Sequence, residues 1–187
     1  MTETKQLLAR TLMQMLETQP LDKITVKDIT QRSGVSRQSF YYYFDDMYAL
    51  VEWIIMREAE GVLSDYSRID NWQMGYVLML YWAINHKAMV LNIFRAVPRD
   101  YIERFFKRVL TGYILRVVRQ QAQGMLVTEE QCVYIANFFT LSLEAVTLDW
   151  LETGLKESPE ELAERTGVIL QGGCQKGLAY FEKKNGH

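Results

Sequence analysis

The chain repeats apolar residues at helical spacing from its first residues to its last, with short polar breaks between the repeats. No pair of strands joined by a hairpin turn interrupts this pattern, and the sequence contains no internal repeat. It therefore predicts an all-α chain of about nine helices. The predicted helices span residues 5–18, 26–32, 37–43, 46–63, 71–86, 88–95, 99–122, 129–153 and 160–182.

Two short helices near the start carry the same kind of capping signal. Thr25 is a candidate N-cap with Asp28 three residues later, a variant of the capping box, and Ser36 is the candidate N-cap of the next helix. Gly34 lies between them, where a helix end favours a residue that adopts positive φ. Three helices within the first 44 residues, with a tight turn between the second and the third, predict a helix-turn-helix.

The third predicted helix carries side chains suited to reading DNA. Phe40 and Phe44 lie four residues apart and are expected to face the core, and Tyr41 is expected to join them. Arginine and glutamine pair with guanine and adenine in the major groove, and free N–H groups at the start of the preceding helix suit a phosphate. The candidate DNA contacts are Thr25, Lys27, Ser36, Arg37, Gln38, Ser39, Tyr42 and Tyr43. Spacing alone leaves a purely structural pair of helices as the alternative.

Composition narrows the class of protein further. The 187 residues are 49% apolar and 24% charged, which excludes a disordered chain. A net charge of −2 argues against a protein that coats nucleic acid by bulk charge, and it leaves room for a local reading head. The most hydrophobic stretch, 74–84, is shorter than the roughly 20 residues that a bilayer requires, and the first ten residues hold no signal core. We therefore expect a soluble, cytoplasmic protein with no membrane partner.

Residues typical of catalysis or metal binding are scarce. The chain has two cysteines, Cys132 and Cys174, and two histidines, His86 and His187. It contains no glycine-rich phosphate loop and neither the HExxH nor the GxSxG motif. We therefore expect no enzyme activity, no metal site and no cofactor, and we expect the cysteines to be buried thiols.

Specific strings near the start carry a family resemblance. Residues 24–29 read ITVKDI, residues 34–36 read GVS and residues 40–44 read FYYYF. This pattern closely resembles the DNA-binding head of the TetR family of bacterial regulators. The resemblance implies an all-α homodimer that binds double-stranded operator DNA through the candidate contacts above, and that represses or activates transcription. It also implies a helix-turn-helix domain over 1–48 and a regulatory and dimerisation domain over 49–187. The body resembles, more weakly, regulators of dihydroxyacetone kinase operons.

The head departs from the family pattern in its charge. Met47 follows Asp45 and Asp46 where the family usually has a lysine that supports phosphate binding, and either aspartate can cap the fourth helix. Basic and acidic side chains are equal in number over residues 1–50. Binding to DNA at physiological salt should therefore be weaker than for a basic head. A second hypothesis is a regulator-derived protein that lacks DNA binding and acts through a protein partner.

The helical body is rich in Trp, Tyr, Phe and Met. Such residues usually form plain core, but an apolar lining with a few polar groups is also typical of a small-molecule site. Together with the resemblance, this predicts an effector pocket with walls from residues 72–86, 101–113 and 135–143. The candidate pocket residues are Tyr76, Trp82, Phe106, Tyr113 and Phe139.

The last two predicted helices suggest self-association. The helix over 129–153 is apolar nearly all round, so more than one of its sides must be covered. Gly173 and Gly177 lie on one face of the last helix and allow another helix to approach closely, either from the same chain or from a second copy. In the family, the last two helices of each subunit form a dimer bundle. The candidate interface residues are Leu143, Trp150, Leu170, Gly173, Gly177 and Phe181.

Overall fold

The structure is a computed structural model that describes residues 3–66 and 72–186. These residues form nine α-helices and no strand, which confirms the predicted all-α fold. Residue 71, where the sequence predicts that the fifth helix begins, and His187 lie outside the described residues. The helices are α1 (Glu3–Leu16), α2 (Val26–Ser33), α3 (Arg37–Tyr43), α4 (Met47–Asp65), α5 (Trp72–Asn85), α6 (Lys87–Ala96), α7 (Arg99–Gln121), α8 (Glu129–Glu152) and α9 (Pro159–Asn185). A single 3-10 turn, Leu21–Lys23, connects α1 to α2.

The end of α9 differs from the prediction. α9 continues three residues beyond position 182 because the Asn185 side-chain amide donates hydrogen bonds to Leu126 O and to Gln131 Oε1, each at 2.8 Å. Such a contact joins residues more than fifty positions apart, so periodicity within one helix gives no sign of it.

The described chain divides into two compact units. The first contains Met1–Glu58 and Ala83–Ile102, and the second contains Ala59–Trp82 and Glu103–His187. The first unit therefore includes all of the predicted head, 1–48, together with the start of α4 and all of α6. Three helices, α4, α5 and α7, have residues in both units.

The core of the first unit forms where α1 packs against α2, α3 and α6. The Asn92 side-chain amide of α6 donates to Leu16 O at 2.8 Å, which satisfies a carbonyl at the end of α1. Seven side chains in this core have no exposed surface: Leu8, Leu12, Leu16, Ile29, Phe40, Leu50 and Met89.

The second unit is built around the pair α8 and α9. Gly154 adopts φ +79° just beyond α8, where the chain turns towards α9. The Trp150 indole donates to Glu157 O at 2.9 Å and so holds this connection against the end of α8. The Tyr76 hydroxyl of α5 lies 3.0 Å from Thr147 Oγ1 of α8, and burial raises the pKa of Tyr76 to about 12.

α8 is long and apolar enough to cross a membrane, judged by length and composition alone. Half of its apolar window is buried inside the structure. Together, α5 and α6 reach such a length only as a pair bent by 90°. The stretch 74–84 lies within α5, so the helix whose length and composition suit a span is a different one, α8, and its apolar surface needs an explanation.

Candidate nucleic-acid interface

The start of α2 is held by the predicted capping box, which the structure confirms. The Asp28 N–H donates to Thr25 Oγ1 at 3.2 Å, and the Thr25 N–H donates to Asp28 Oδ2 at 2.9 Å. The Thr25 hydroxyl also donates to Asp28 Oδ2, at 2.5 Å. This hydrogen bond and the one from the Thr25 N–H lower the pKa of Asp28, since they favour the carboxylate. Thr25 and Lys27 are both exposed, so the first turn of α2 presents a hydroxyl and an ammonium group to solvent.

The turn between α2 and α3 depends on Gly34, as predicted. Gly34 adopts φ +72°, and no atom would lie within 4 Å of a Cβ placed there. The requirement for glycine is therefore conformational and not steric. α3 then begins at the predicted cap, because the Ser39 N–H donates to Ser36 Oγ at 3.0 Å. The Ser36 and Ser39 hydroxyls also lie 2.9 Å apart, so each can bond the other.

α3 has one buried face and one exposed face. Phe40 is fully buried and Phe44 is 5% exposed, as predicted. The expectation that Tyr41 is a core residue is wrong, because Tyr41 is 57% exposed. Its ring makes an edge-to-face contact with Phe40, but position 41 points away from the stripe that Phe40 and Phe44 share. Tyr42 is 79% exposed. The remaining candidate contacts of α3 are two exposed side chains and two half-buried ones: Arg37, Gln38, Ser39 and Tyr43.

The entry into α4 matches the prediction that an aspartate caps it. The Ala49 N–H donates to Asp46 Oδ1 at 2.8 Å, so Asp46 is the cap. Met47 is the first residue of α4 and is half-buried. Met47, at the position where the family usually has a lysine, therefore comes directly after Asp46, whose carboxylate accepts a hydrogen bond from the first turn of α4.

The candidate pocket residues all lie in the second unit, but the structure brings only two of them to one cavity. Tyr113 and Phe139 line a cavity of about 30 Å³, whereas Tyr76, Trp82 and Phe106 are not among its lining residues. Tyr76 instead packs against α8 through its hydrogen bond with Thr147, and Phe106 packs edge-to-face with Phe105. The other lining residues are Trp72, Ile114, Val117, Val118, Gln121, Leu170, Gln171 and Cys174.

Tyr113 connects this cavity to the backbone around it. Its hydroxyl lies 2.6 Å from Tyr66 O, just after α4, and 2.8 Å from Trp72 O, at the start of α5. The single proton of the hydroxyl serves two carbonyls, and burial raises the pKa of Tyr113. Gly75 lies against this group, because a Cβ there would be 2.9 Å from the Tyr113 hydroxyl oxygen. No pattern in the sequence predicts this contact.

Most of the candidate interface residues need correction. Leu143, Trp150 and Leu170 are each less than 9% exposed, so their side chains already pack inside the subunit and are not available to a second copy. A Cβ at Gly173 would lie 3.1 Å from Phe139 Cζ, and one at Gly177 would lie 3.5 Å from Ile135 Cδ1. The glycines therefore let α9 approach α8 of the same chain.

A different set of apolar residues on the same two helices is exposed. Phe181, the remaining candidate, is half-buried beside the ring of Tyr134. Apolar side chains at least 57% exposed lie along both α8 and α9: Tyr134, Phe138, Leu141, Val168, Ile169 and Tyr180. The α8 members recur at intervals of four and three, which is the spacing of one helical stripe. Their periodicity is visible in the sequence, but an equally apolar stripe on the buried side conceals it.

Models of two known protein families match separate parts of the chain. Residues 8–54 match the model for bacterial regulatory proteins of the tetR family, and residues 70–172 match the model for a transcriptional regulator C-terminal region. The HTH-type dhaKLM operon transcriptional activator DhaS of Lactococcus lactis subsp. lactis (strain IL1403) is 26% identical over 103 residues, which are 55% of this chain and 54% of DhaS. The uncharacterized HTH-type transcriptional regulator YxbF of Bacillus subtilis (strain 168) is 24% identical over 168 residues, 85% of this chain and 42% of YxbF. The matches span about half the length of these curated relatives.

Two solved structures have the same fold. The dihydroxyacetone kinase operon activator DhaS superposes with a TM-score of 0.71 at 21% identity, over 96% of this chain and 98% of DhaS. The TetR family repressor AlkX from Dietzia sp. strain DQ12-45-1b superposes with a TM-score of 0.58 at 16% identity, over 92% of this chain and 95% of AlkX. The two family models together cover most of the chain, and the relatives are transcriptional regulators rather than enzymes. The chain therefore belongs to the TetR family of bacterial regulatory proteins.

Proposed function

We propose that this protein binds operator DNA in the cytoplasm as a homodimer and thereby controls transcription. The observation that carries the proposal is the division of α3 into a fully buried Phe40 and a 79% exposed Tyr42. One face anchors the helix in the head, while the other leaves polar and aromatic side chains free to enter a major groove.

Each candidate contact has a chemical role in this proposal. Arg37 and Gln38, in the first turn of α3, hydrogen-bond to base edges, with guanine and adenine as their preferred partners. Tyr42 and Tyr43 contact a thymine methyl group or a phosphate. The first turn of α2, where Thr25 and Lys27 are exposed, binds a backbone phosphate through its N–H groups and the ammonium group. Ser36 and Ser39 add hydroxyl groups between these two sets.

The test of DNA binding is fluorescence anisotropy with the DNA upstream of the gene for this protein, at two salt concentrations. Arg37→Ala should lower the affinity by a factor corresponding to about 1–3 kcal/mol, because a bidentate base contact is lost. Arg32→Ala is the matched control, since Arg32 is equally exposed but lies in the last turn of α2. Equal losses for the two variants would remove Arg37 from the interface. If the wild-type protein bound no DNA at either salt concentration, the result would support the second hypothesis, that the protein acts through a protein partner.

The homodimer is proposed to form through the exposed apolar stripe of α8 and α9. Tyr and Phe, which are enriched in protein interfaces, make up half of that stripe. Large apolar patches on a soluble surface mark sites of interaction, and a two-fold axis would pair the same stripe in both subunits. The two copies of α3 would then contact half-sites roughly 34–36 Å apart, so we expect the operator to be an inverted repeat with that spacing.

A small-molecule effector is proposed to act at the cavity beside Tyr113. At about 30 Å³ the cavity is far below the ~300 Å³ of an ordinary ligand site. A ligand must therefore displace Tyr113 or its neighbours, which would release the Tyr66 carbonyl that follows α4. The ligand would change the affinity for DNA only if it bound more tightly to the arrangement with Tyr113 displaced than to the arrangement without it. The test is a thermal-shift screen followed by DNA titrations. Ligands that stabilise the protein but leave the affinity for DNA unchanged would exclude this route.

A further inference from the structure

Lys5 is enclosed by aromatic rings at the end of the recognition helix. Its Nζ atom lies 5.5 Å from the centre of the Tyr43 ring, 5.6 Å from that of Phe44 and 6.0 Å from that of Trp53. These three rings come from the last turn of α3, the residue after it and α4, whereas Lys5 is in the first turns of α1. A cation within about 6 Å of a ring centre is attracted by the ring. The rings therefore hold a flexible side chain beside Tyr43.

The ammonium group remains available to an anion. Lys5 forms no ion pair with a carboxylate in the part of the chain that the structure describes, and its ammonium group lies against the three rings. Attraction to a ring face uses the charge but does not occupy the three N–H donors of an ammonium group. Arg57 lies 5.6 Å from the same Trp53 ring, so a second cation adds to the positive potential there. Lys23, in contrast, lies 3.9 Å from a carboxylate oxygen of Asp22.

We propose that Lys5 binds a backbone phosphate of the operator, next to the contact made by Tyr43. The rings of Tyr43 and Tyr42 are in edge-to-face contact at 4.8 Å, and Tyr42 is 79% exposed. The ammonium group therefore lies beside the surface that α3 presents to DNA. In a head with balanced charge, one further cation from α1 contributes a large share of the nonspecific affinity. This inference rests on the proposed DNA binding.

The experiment measures how the affinity for operator and for unrelated DNA depends on salt, for wild-type protein, Lys5→Gln and Lys5→Arg. Each phosphate contact contributes about 0.9 to the slope of log K against log salt concentration. Lys5→Gln should therefore reduce the magnitude of the slope by about 1.8 per dimer and weaken binding about eightfold per subunit at 0.1 M salt, alike on both DNAs. Lys5→Arg keeps the charge and the ring contacts and should retain the wild-type slope.

Lys23→Gln is the matched control, because it removes an exposed lysine that is already paired with Asp22. Thermal unfolding of each variant shows whether the head is still folded. A wild-type slope for Lys5→Gln would overturn the inference while leaving the proposed DNA binding intact, even if the affinity fell, because Lys5 would then only position Tyr43. An equal change of slope in Lys23→Gln would also overturn it. Absence of DNA binding by the wild-type protein would overturn both proposals.

Discussion

Replacement of Phe138 by alanine should weaken the proposed dimer without unfolding the subunit. Phe138 is 59% exposed on α8. A phenylalanine side chain buries ~150–250 Å² when it is covered. The exposed part of the ring is therefore ~100 Å² per subunit, and covering it contributes about 2.5 kcal/mol at ~25 cal/mol per Å². Inside the subunit the ring contacts that of Phe139, with ring centres 5.4 Å apart, and more than half of Phe138 is exposed, so little of the core depends on it.

A two-fold interface uses the same side chain twice, so the upper limit is about 5 kcal/mol per dimer. Alanine keeps the Cβ atom, and neighbouring side chains can re-pack. We therefore expect the dimer dissociation constant to rise by about two to three orders of magnitude, since each 1.4 kcal/mol corresponds to about tenfold. Operator affinity should fall as well, because two linked heads bind more tightly than one.

Sedimentation equilibrium over a wide range of protein concentration measures the dissociation constant directly. Met74→Ala is the matched control, because Met74 is a 52% exposed apolar residue of the second unit that lies on α5. Thermal unfolding at low protein concentration tests whether the subunit itself is intact. A wild-type dissociation constant for Phe138→Ala, or an equal loss for Met74→Ala, would refute the assignment of the exposed stripe to the dimer.

The remaining predictions concern the head charge and the glycine of α5. Met47→Lys should tighten binding to any DNA, most at low salt, because it adds a cation at the start of α4; identical titrations would show that this position does not approach DNA. Gly75→Ala should lower the melting temperature, because its Cβ would lie 2.7 Å from Tyr66 Cβ and 2.9 Å from the Tyr113 hydroxyl oxygen. The matched variant Gly61→Ala meets no atom within 4 Å and should stabilise by up to about 1 kcal/mol, so the opposite order of melting temperatures would contradict the packing at Gly75.

The head could be predicted in detail because its signals are local. The capping box at Thr25, the positive φ of Gly34 and the cap at Ser36 each depend on residues within three positions of one another. Tyr41 is the failure in this region. A run of three tyrosines does not by itself indicate which of them faces the core. The buried position of Phe40 sets the orientation of α3 and leaves Tyr41 on the outside.

The contacts of the body could not be predicted from the sequence, because they join residues that are distant along the chain. The hydroxyl of Tyr113 meets carbonyls 47 and 41 positions away, and Gly173 is needed because of a ring on another helix. Periodicity correctly located α8 and α9, but it could not decide which of two apolar faces is inside. The sequence therefore predicts Leu143 and Leu170 at an interface, whereas both are buried inside the subunit.

The composition of α8 does not show which of its faces is buried inside the subunit. The same 24 residues have the length and apolar character of a membrane span, of a core helix and of an interface helix. Its buried face contains Thr140, Glu144 and Thr147 among the leucines, and both threonine hydroxyls donate to backbone carbonyls one turn back, at 2.8 and 2.7 Å. These hydrogen bonds let both threonine hydroxyls be buried inside the protein. Its exposed face holds Tyr134 and Phe138, which suit a protein partner. The proposed dimer would account for both faces, since its α8 would be covered on one side by its own chain and on the other by a second copy.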